Sequence, residues 1–138
     1  MNIEDIIEIL EKENIQLEWL NLNNFLGIYI RIDNQDIIVI NNRLKNIKEI
    51  KLSLIHELGH FFTGTIYFCD MDRYYIAKCE YKALKWASMF LMPKEKIVEA
   101  INKGITEVWE LAEYFEVSEE LVGFRLCLPD LQDIKEVF

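Results

Sequence analysis

The pentapeptide His56-Glu57-Leu58-Gly59-His60 contains both histidines of the chain, four residues apart. On an α-helix, residues i and i+4 lie on one face about one turn apart, so both imidazoles can reach one metal ion. Glu57, rotated about 100° from His56, would lean over the open coordination position. Zinc held by two imidazoles and a carboxylate keeps a fourth position for water, as catalytic sites do. The motif therefore predicts one zinc ion per chain bound by His56 and His60, with Glu57 beside the open coordination position.

The residues around this motif separate into two stripes at helical spacing. We expect the helix to begin between Leu44 and Lys48 and to end at Gly64. A polar stripe flanked by core residues is expected of a helix at the floor of a cleft, which favours a functional site over two histidines spaced by chance. The apolar stripe consists of Ile47, Ile50, Leu54, Leu58 and Phe61, and the polar stripe of Glu49, Ser53, His56, Glu57 and His60.

The class of the third metal ligand is restricted by the residues that come after the motif. Metzincins are excluded, because Thr63 and Ile66 stand where that class has glycine and a further ligand. With no other histidine in the chain, the ligand must be a carboxylate or a cysteine. Cys69 and Cys79 lie ten residues apart, which is not a usual zinc-ligand spacing, and we interpret them as small buried apolar residues.

Among the carboxylates, Glu80 is the leading candidate for the third ligand. It opens a predicted helix over residues 79–91, twenty residues after His60, and can project back across the cleft. Asp70 and Asp72 remain alternatives in a segment, residues 65–79, whose pattern indicates no regular structure. The same region contains four tyrosines that could stabilise the oxyanion of a tetrahedral intermediate, and the sequence does not rank them: Tyr67, Tyr74, Tyr75 and Tyr81.

The rest of the pattern predicts an α+β, zincin-like single domain over residues 1–138. A small, mainly antiparallel sheet precedes the motif helix, and further helices come after it. The expected helices outside the motif are residues 3–13, 79–91, 94–102, 107–115 and 119–127, and the expected strands begin at Ile15 and cover residues 25–32 and 37–40.

The composition of the chain limits the classes of function that it can have. The net charge of −9 argues against binding nucleic acid, although a helix pair over residues 107–127 resembles a helix-turn-helix. That pair contains six glutamates and a single arginine, Arg125, so we predict that it does not bind DNA. The longest apolar runs are too short to span a membrane, and the first residues do not resemble a signal peptide. Three cysteines, too sparse for a disulfide framework, favour a cytoplasmic protein.

At three segments the sequence resembles the ImmA/IrrE family of metallo-endopeptidases, especially its short phage and mobile-element members. The first segment is HELGH at residues 56–60, and the second is EYKALKWA at residues 80–87 followed by Leu91-Met92-Pro93. The third is ELAEYFEVS at residues 110–118, so that the resemblance covers roughly residues 45–125.

The resemblance implies that His56, His60 and Glu80 bind zinc and that Glu57 is the general base. It also implies an anti-repressor that cleaves a helix-turn-helix repressor of a phage or mobile element. An extended substrate beside an edge strand is common in related metalloproteases, and the hairpin over residues 25–40 would supply one. The alternative is a non-catalytic, zinc-stabilised module that sequesters a repressor without cutting it.

Overall fold

The computed structural model describes residues 1–67 and 70–137, with side chains described over residues 1–67 and 70–134. The α+β class is confirmed. The helices are α1 (Ile3–Lys12), α2 (Ile47–Thr63), α3 (Arg73–Leu91), α4 (Lys94–Asn102), α5 (Val108–Phe115), α6 (Glu119–Leu126) and a 3₁₀ helix (Pro129–Val137), and the strands are β1 (Ile15–Leu20), β2 (Gly27–Ile32) and β3 (Gln35–Asn41).

The sheet has β3 at its centre, in the order β1-β3-β2. Asp33 and Asn34 both have positive φ, as a two-residue hairpin turn requires, and β2 and β3 are antiparallel as predicted. β1, however, lies parallel to β3, so the sheet is mixed. Ile38, Val39 and Ile40 are at most 3% exposed, and a run buried on both faces belongs in the middle of a sheet.

Helix α2 has the ends that the sequence predicts. The Asn46 side chain accepts hydrogen bonds from the backbone N–H groups of Lys48 and Glu49, and Gly64 ends the helix with φ 65°. Leu54 and Leu58 are fully buried, whereas Ile47, expected in the apolar stripe, is 62% exposed. The buried stripe holds the motif against the first part of the chain.

Helix α3 begins at Arg73, six residues earlier than expected, so the irregular segment predicted over residues 65–79 was wrong in its second half. The Asp72 carboxylate accepts a hydrogen bond from the backbone N–H of Tyr74 at 2.7 Å, as an N-cap does. The Tyr74 and Tyr75 side chains are 82% and 45% exposed. Because this first turn buries little, it leaves no apolar period in the sequence.

The chain divides into two compact units, Met1–Ala87 and Ser88–Phe138. The expectation of one domain over residues 1–138 stays a prediction. Among the described residues, no helix combines the length and the apolar character that crossing a membrane requires. Cys79 is buried as expected, while Cys69 lies outside the described residues.

The second unit contains the helix pair α5–α6, which the sequence compared with a helix-turn-helix. The Arg125 side chain is 1% exposed and forms a bidentate ion pair with Asp130, at 2.7 and 2.8 Å. Its Nε also donates a hydrogen bond to the Met92 carbonyl at 2.8 Å. The guanidinium lowers the pKa of the Asp130 carboxyl through these hydrogen bonds. Arg125, the single cationic residue of the helix pair, is therefore a structural residue. It is buried and cannot contact the phosphates of DNA.

Candidate metal centre

The first two donors of the candidate metal centre come from one face of α2. The His56 and His60 rings lie with their centroids 5.2 Å apart, as i and i+4 spacing on a helix requires. Glu80, on α3, completes the group: its Oε2 lies 2.8 Å from His56 Nε2 and its Oε1 lies 3.1 Å from His60 Nε2. The three donor atoms all lie within 4.8 Å of one another.

This donor set fits a zinc ion. Ligands about 2.0–2.2 Å from a tetrahedral zinc lie roughly 3.3–3.6 Å from one another, and the separations of 2.8 and 3.1 Å are close to that. Two neutral imidazoles and a carboxylate are nitrogen and oxygen ligands of the types that zinc prefers in catalytic sites.

The orientation of His60 supports the same interpretation. His60 is 5% exposed, and its Nδ1 lies 2.9 Å from both the carbonyl oxygen and the hydroxyl of Thr65. With a metal bound, a proton on Nδ1 would donate to that carbonyl and leave the Nε2 lone pair for the metal. Without a metal, Nε2 can instead donate its proton to Glu80. Thr65 can thus support the tautomer that binds a metal. Nothing in the sequence pattern marks Thr65 for this role.

Glu80 is held as an anion. Burial raises the pKa of its carboxyl, but hydrogen bonds from His56, His60 and Tyr67 outweigh burial and bring the pKa below its ordinary value. The Tyr67 hydroxyl donates to Oε1 of the same carboxylate. The hydrogen bond to Glu80 also raises the pKa of the His56 imidazole, although burial opposes it. An ionised carboxylate at this point is what a cation requires.

Glu57 lies beside the donors and points toward β2. It is 8% exposed, and burial raises the pKa of its carboxyl, while His56 and His60 oppose that rise. The backbone of Tyr29 also opposes the rise in this pKa. At Gly27, a Cβ atom would come within 3.3 Å of Glu57 Cγ, so the start of β2 packs closely on this side chain. The strand therefore fixes the carboxylate at the edge of the metal centre.

A close approach of two helices brings Glu80 to the histidines. A Cβ atom on Gly59 would lie 2.5 Å from the carbonyl oxygen of Ala83 and 3.2 Å from its Cα, which no real Cβ tolerates. Glu80 is one turn before Ala83 on the same helix, so contact between Gly59 and Ala83 sets the distance from Glu80 to the motif. The sequence motif did not assign Gly59 a role, and its lack of a side chain proves to be the reason that α3 can dock.

Gly59→Ala is expected to push α3 away from α2, to weaken zinc binding and to destabilise the fold by roughly 1–3 kcal/mol, because the neighbouring atoms are backbone and cannot rotate aside. Urea unfolding and the zinc content of the purified protein measure the two effects. Gly123→Ala is the matched control, since a Cβ there meets nothing within 4 Å. Unchanged stability and zinc content in Gly59→Ala would show that the close approach is unimportant.

A cavity of about 800 Å³ opens on the metal centre. The residues that line it include His56, Glu57, His60 and Glu80. Tyr67 is the one of the four candidate tyrosines that lines it, whereas the side chains of Tyr74, Tyr75 and Tyr81 are 82%, 45% and 49% exposed. The structure therefore favours Tyr67 as the residue that could stabilise an oxyanion.

The structure brings together His56, His60 and Glu80 and leaves out the two alternative carboxylates. Among the described residues the group of potential metal ligands contains neither Asp70 nor Asp72. Glu80 does not open its helix as expected, because it lies seven residues after the start of α3 at Arg73. The roles of the three donors and of Glu57 stay predictions.

Comparison with known proteins points in the same direction. The model of the IrrE N-terminal-like domain family matches residues 10–127, which is most of the chain and includes the whole metal centre. No curated protein shows significant similarity to the sequence. The matched range contains both helices that carry the donors and the strand that holds Glu57, so the chain belongs to the IrrE N-terminal-like domain family (Peptidase_M78) and is metallopeptidase-like.

Proposed function

We propose that this chain is a zinc-dependent endopeptidase that acts as an anti-repressor, cleaving a helix-turn-helix repressor of a phage or mobile element. The observation that carries the enzymatic part is the convergence of His56, His60 and Glu80 within 4.8 Å, with the buried Glu57 carboxylate beside them at the floor of an open cavity. A closed structural site would have four protein ligands and no adjoining cavity.

The chemistry that zinc supplies when bound is Lewis-acid polarisation of the scissile carbonyl and of the attacking water. Glu57 accepts the proton of that water and delivers it to the leaving amine. The start of β2, which packs on Glu57 at Gly27, holds this side chain in place between these two steps. As negative charge develops on the carbonyl oxygen, the Tyr67 hydroxyl turns from Glu80 Oε1, its acceptor in the structure, and donates its hydrogen bond to that oxygen instead.

The open edge of β2 supports an extended substrate. Gly27, Ile28, Tyr29 and Ile30 are consecutive and all line the cavity. Neighbouring residues of a strand point to opposite faces of the sheet, so four in a row line a cavity only when the edge of the strand faces it. Within residues 1–67 and 70–137, β2 is paired on one side only, with β3. A substrate segment added to this edge would gain backbone hydrogen bonds and pass over the metal centre.

The choice of a repressor as substrate is supported by charge and follows what the sequence resemblance implies. A chain of net charge −9 attracts basic proteins, and DNA-binding repressors present basic surfaces. The same charge, with Arg125 buried against Asp130, disfavours binding of the chain itself to duplex DNA. Free cysteines at Cys79 and Cys127 suit the reducing cytoplasm in which such a repressor acts.

The test uses the repressor encoded nearest to this chain's gene. We expect the zinc-loaded protein, with one zinc per chain by elemental analysis, to cut the repressor at a defined bond identified by mass spectrometry. A chelator should stop the cleavage and added zinc should restore it. A protein that binds the repressor tightly but leaves it intact with zinc present would be a sequestering module, and the endopeptidase assignment would be wrong.

A further inference from the structure

The segment Asn21–Leu26, here called the apolar loop, exposes large hydrophobic side chains at the mouth of the cavity. Phe25 and Leu26 are 55% and 59% exposed, and both line the cavity together with Leu22. Exposed apolar side chains that are grouped around a cleft mark a binding surface more often than scattered ones do.

The apolar loop is held in one conformation by a buried side chain. Asn41 is 1% exposed, and its Nδ2 donates hydrogen bonds to the carbonyl oxygens of Asn23 and Phe25 at 3.2 and 2.9 Å. The backbone N–H of Asn41 donates to the carbonyl of Leu26 at 2.9 Å. These hydrogen bonds from a buried side chain hold the exposed loop, with Phe25 and Leu26, in a fixed conformation. A loop that is already ordered loses less conformational entropy when a ligand binds to it.

The loop lies beside the first half of α2. Gly27 packs on Glu57, and two residues later the Tyr29 ring meets the Phe61 ring at 5.9 Å, so β2 and α2 run in the same direction. The residues before β2 are therefore next to the turns of α2 that precede Glu57. Leu52 and Glu49 from these turns line the same cavity. The cavity thus has a metal half and an apolar half, the latter formed by Leu22, Phe25, Leu26 and Leu52.

The charges in the cavity lining also restrict which peptide segment can bind beside the apolar half. Apart from the two histidines, the titratable charged residues described in the cavity lining are all acidic: Glu49, Glu57 and Glu80. Glu57 and Glu80 belong to the metal centre, which leaves the exposed Glu49 to face the substrate. Glu49 precedes Glu57 by two helical turns, about 12 Å along the axis. An extended peptide covers that distance in roughly three to four residues.

We infer that the apolar loop and Leu52 form a specificity subsite for a bulky apolar side chain of the substrate, adjacent to the scissile bond, and that Glu49 receives a lysine or arginine about three to four residues from that bond. The inference rests on the proposed function, because it names the class of segment that the peptidase takes. The occupant is an extended peptide segment with an apolar residue near a basic one.

Binding is measured on the zinc-loaded Glu57→Gln full-length chain, so that the result does not depend on cleavage. The probe is a fluorescent twelve-residue peptide built from serine and glycine, with one central leucine and an arginine four residues to either side. Replacing the leucine by serine should weaken binding about tenfold or more, as the loss of one buried apolar side chain predicts. Replacing the arginines by glutamate should weaken binding as well, and Glu49→Lys should reverse that preference.

The matched variants are Phe25→Ala and Leu26→Ala, with Trp109→Ala as control, since Trp109 is 54% exposed and does not line the cavity. We expect the two loop variants to lose the preference for leucine over serine and the control to keep it, with zinc content equal in all three. Equal binding of the leucine and serine peptides by the unsubstituted loop, or no measurable binding of either, would overturn the inference. Failure of the wild-type chain to cut any peptide that it binds would instead contradict the proposed function.

Discussion

Glu57→Gln should lower the rate of peptide-bond hydrolysis at least ~10²-fold while the protein keeps its zinc, because the amide cannot accept the proton of the attacking water. Glutamine matches glutamate in shape, so it can keep the packing of the side chain against the start of β2 at Gly27. Initial rates on the partner repressor and zinc content, measured together, give the answer.

Glu8→Gln is the control for this variant, since Glu8 is an exposed glutamate of α1 and does not line the cavity. It should cleave at the wild-type rate. Near wild-type cleavage by Glu57→Gln would remove Glu57 from the mechanism. A loss of zinc in that variant would show that the carboxylate supports the metal centre rather than the chemistry.

Glu80→Ala should abolish cleavage and weaken zinc binding more than the ~10–100-fold that loss of an outer-shell partner costs. Its two oxygens approach Nε2 of His56 and Nε2 of His60 at 2.8 and 3.1 Å, so it contacts both of the other donors. Removing it leaves two imidazoles, which bind zinc weakly. Competition with a zinc-sensitive chelating dye measures the affinity directly.

Asp70→Ala and Asp72→Ala are the comparison variants for Glu80→Ala. Both should keep zinc, because neither aspartate belongs to the group of potential ligands among the described residues. Asp72→Ala should instead lower the stability by about 1 kcal/mol, as the loss of an N-cap does, because its carboxylate accepts the backbone N–H of Tyr74. Zinc loss in an aspartate variant, with full occupancy in Glu80→Ala, would move the third ligand into the preceding segment.

Local rules of sequence were sufficient for much of the fold. Helices α1 and α2 were predicted close to their observed limits, because apolar periodicity and a terminating glycine act over a few residues. The turn at Asp33 and Asn34 likewise predicted the β2–β3 hairpin. The parallel pairing of β1 with β3 was not predicted, since strand order depends on which strand is buried on both faces.

The first turn of α3 was missed for a related reason. Apolar periodicity in a sequence indicates which side chains are buried. The tyrosines of this turn face the solvent, so the turn has no apolar periodicity, although the Asp72 cap begins the helix there. An aspartate cap predicts a helix start only when a stripe of apolar residues follows it, and no such stripe follows Asp72.

In the candidate site, too, some features follow from the local sequence and others only from the tertiary structure. The sequence by itself determined that His56 and His60 share one face of a helix, with Glu57 about 100° round from His56, because i and i+4 spacing is a local property of helix geometry. The sequence also favoured Glu80 over Asp70 and Asp72, and the tertiary structure brings Glu80 to the two histidines. Only the tertiary structure distinguished Tyr67 from the other tyrosines and Thr65 as the partner of His60. These assignments depend on how closely α3 approaches α2, and that distance is set by contact of Gly59 with the backbone of Ala83, twenty-four residues away in the chain.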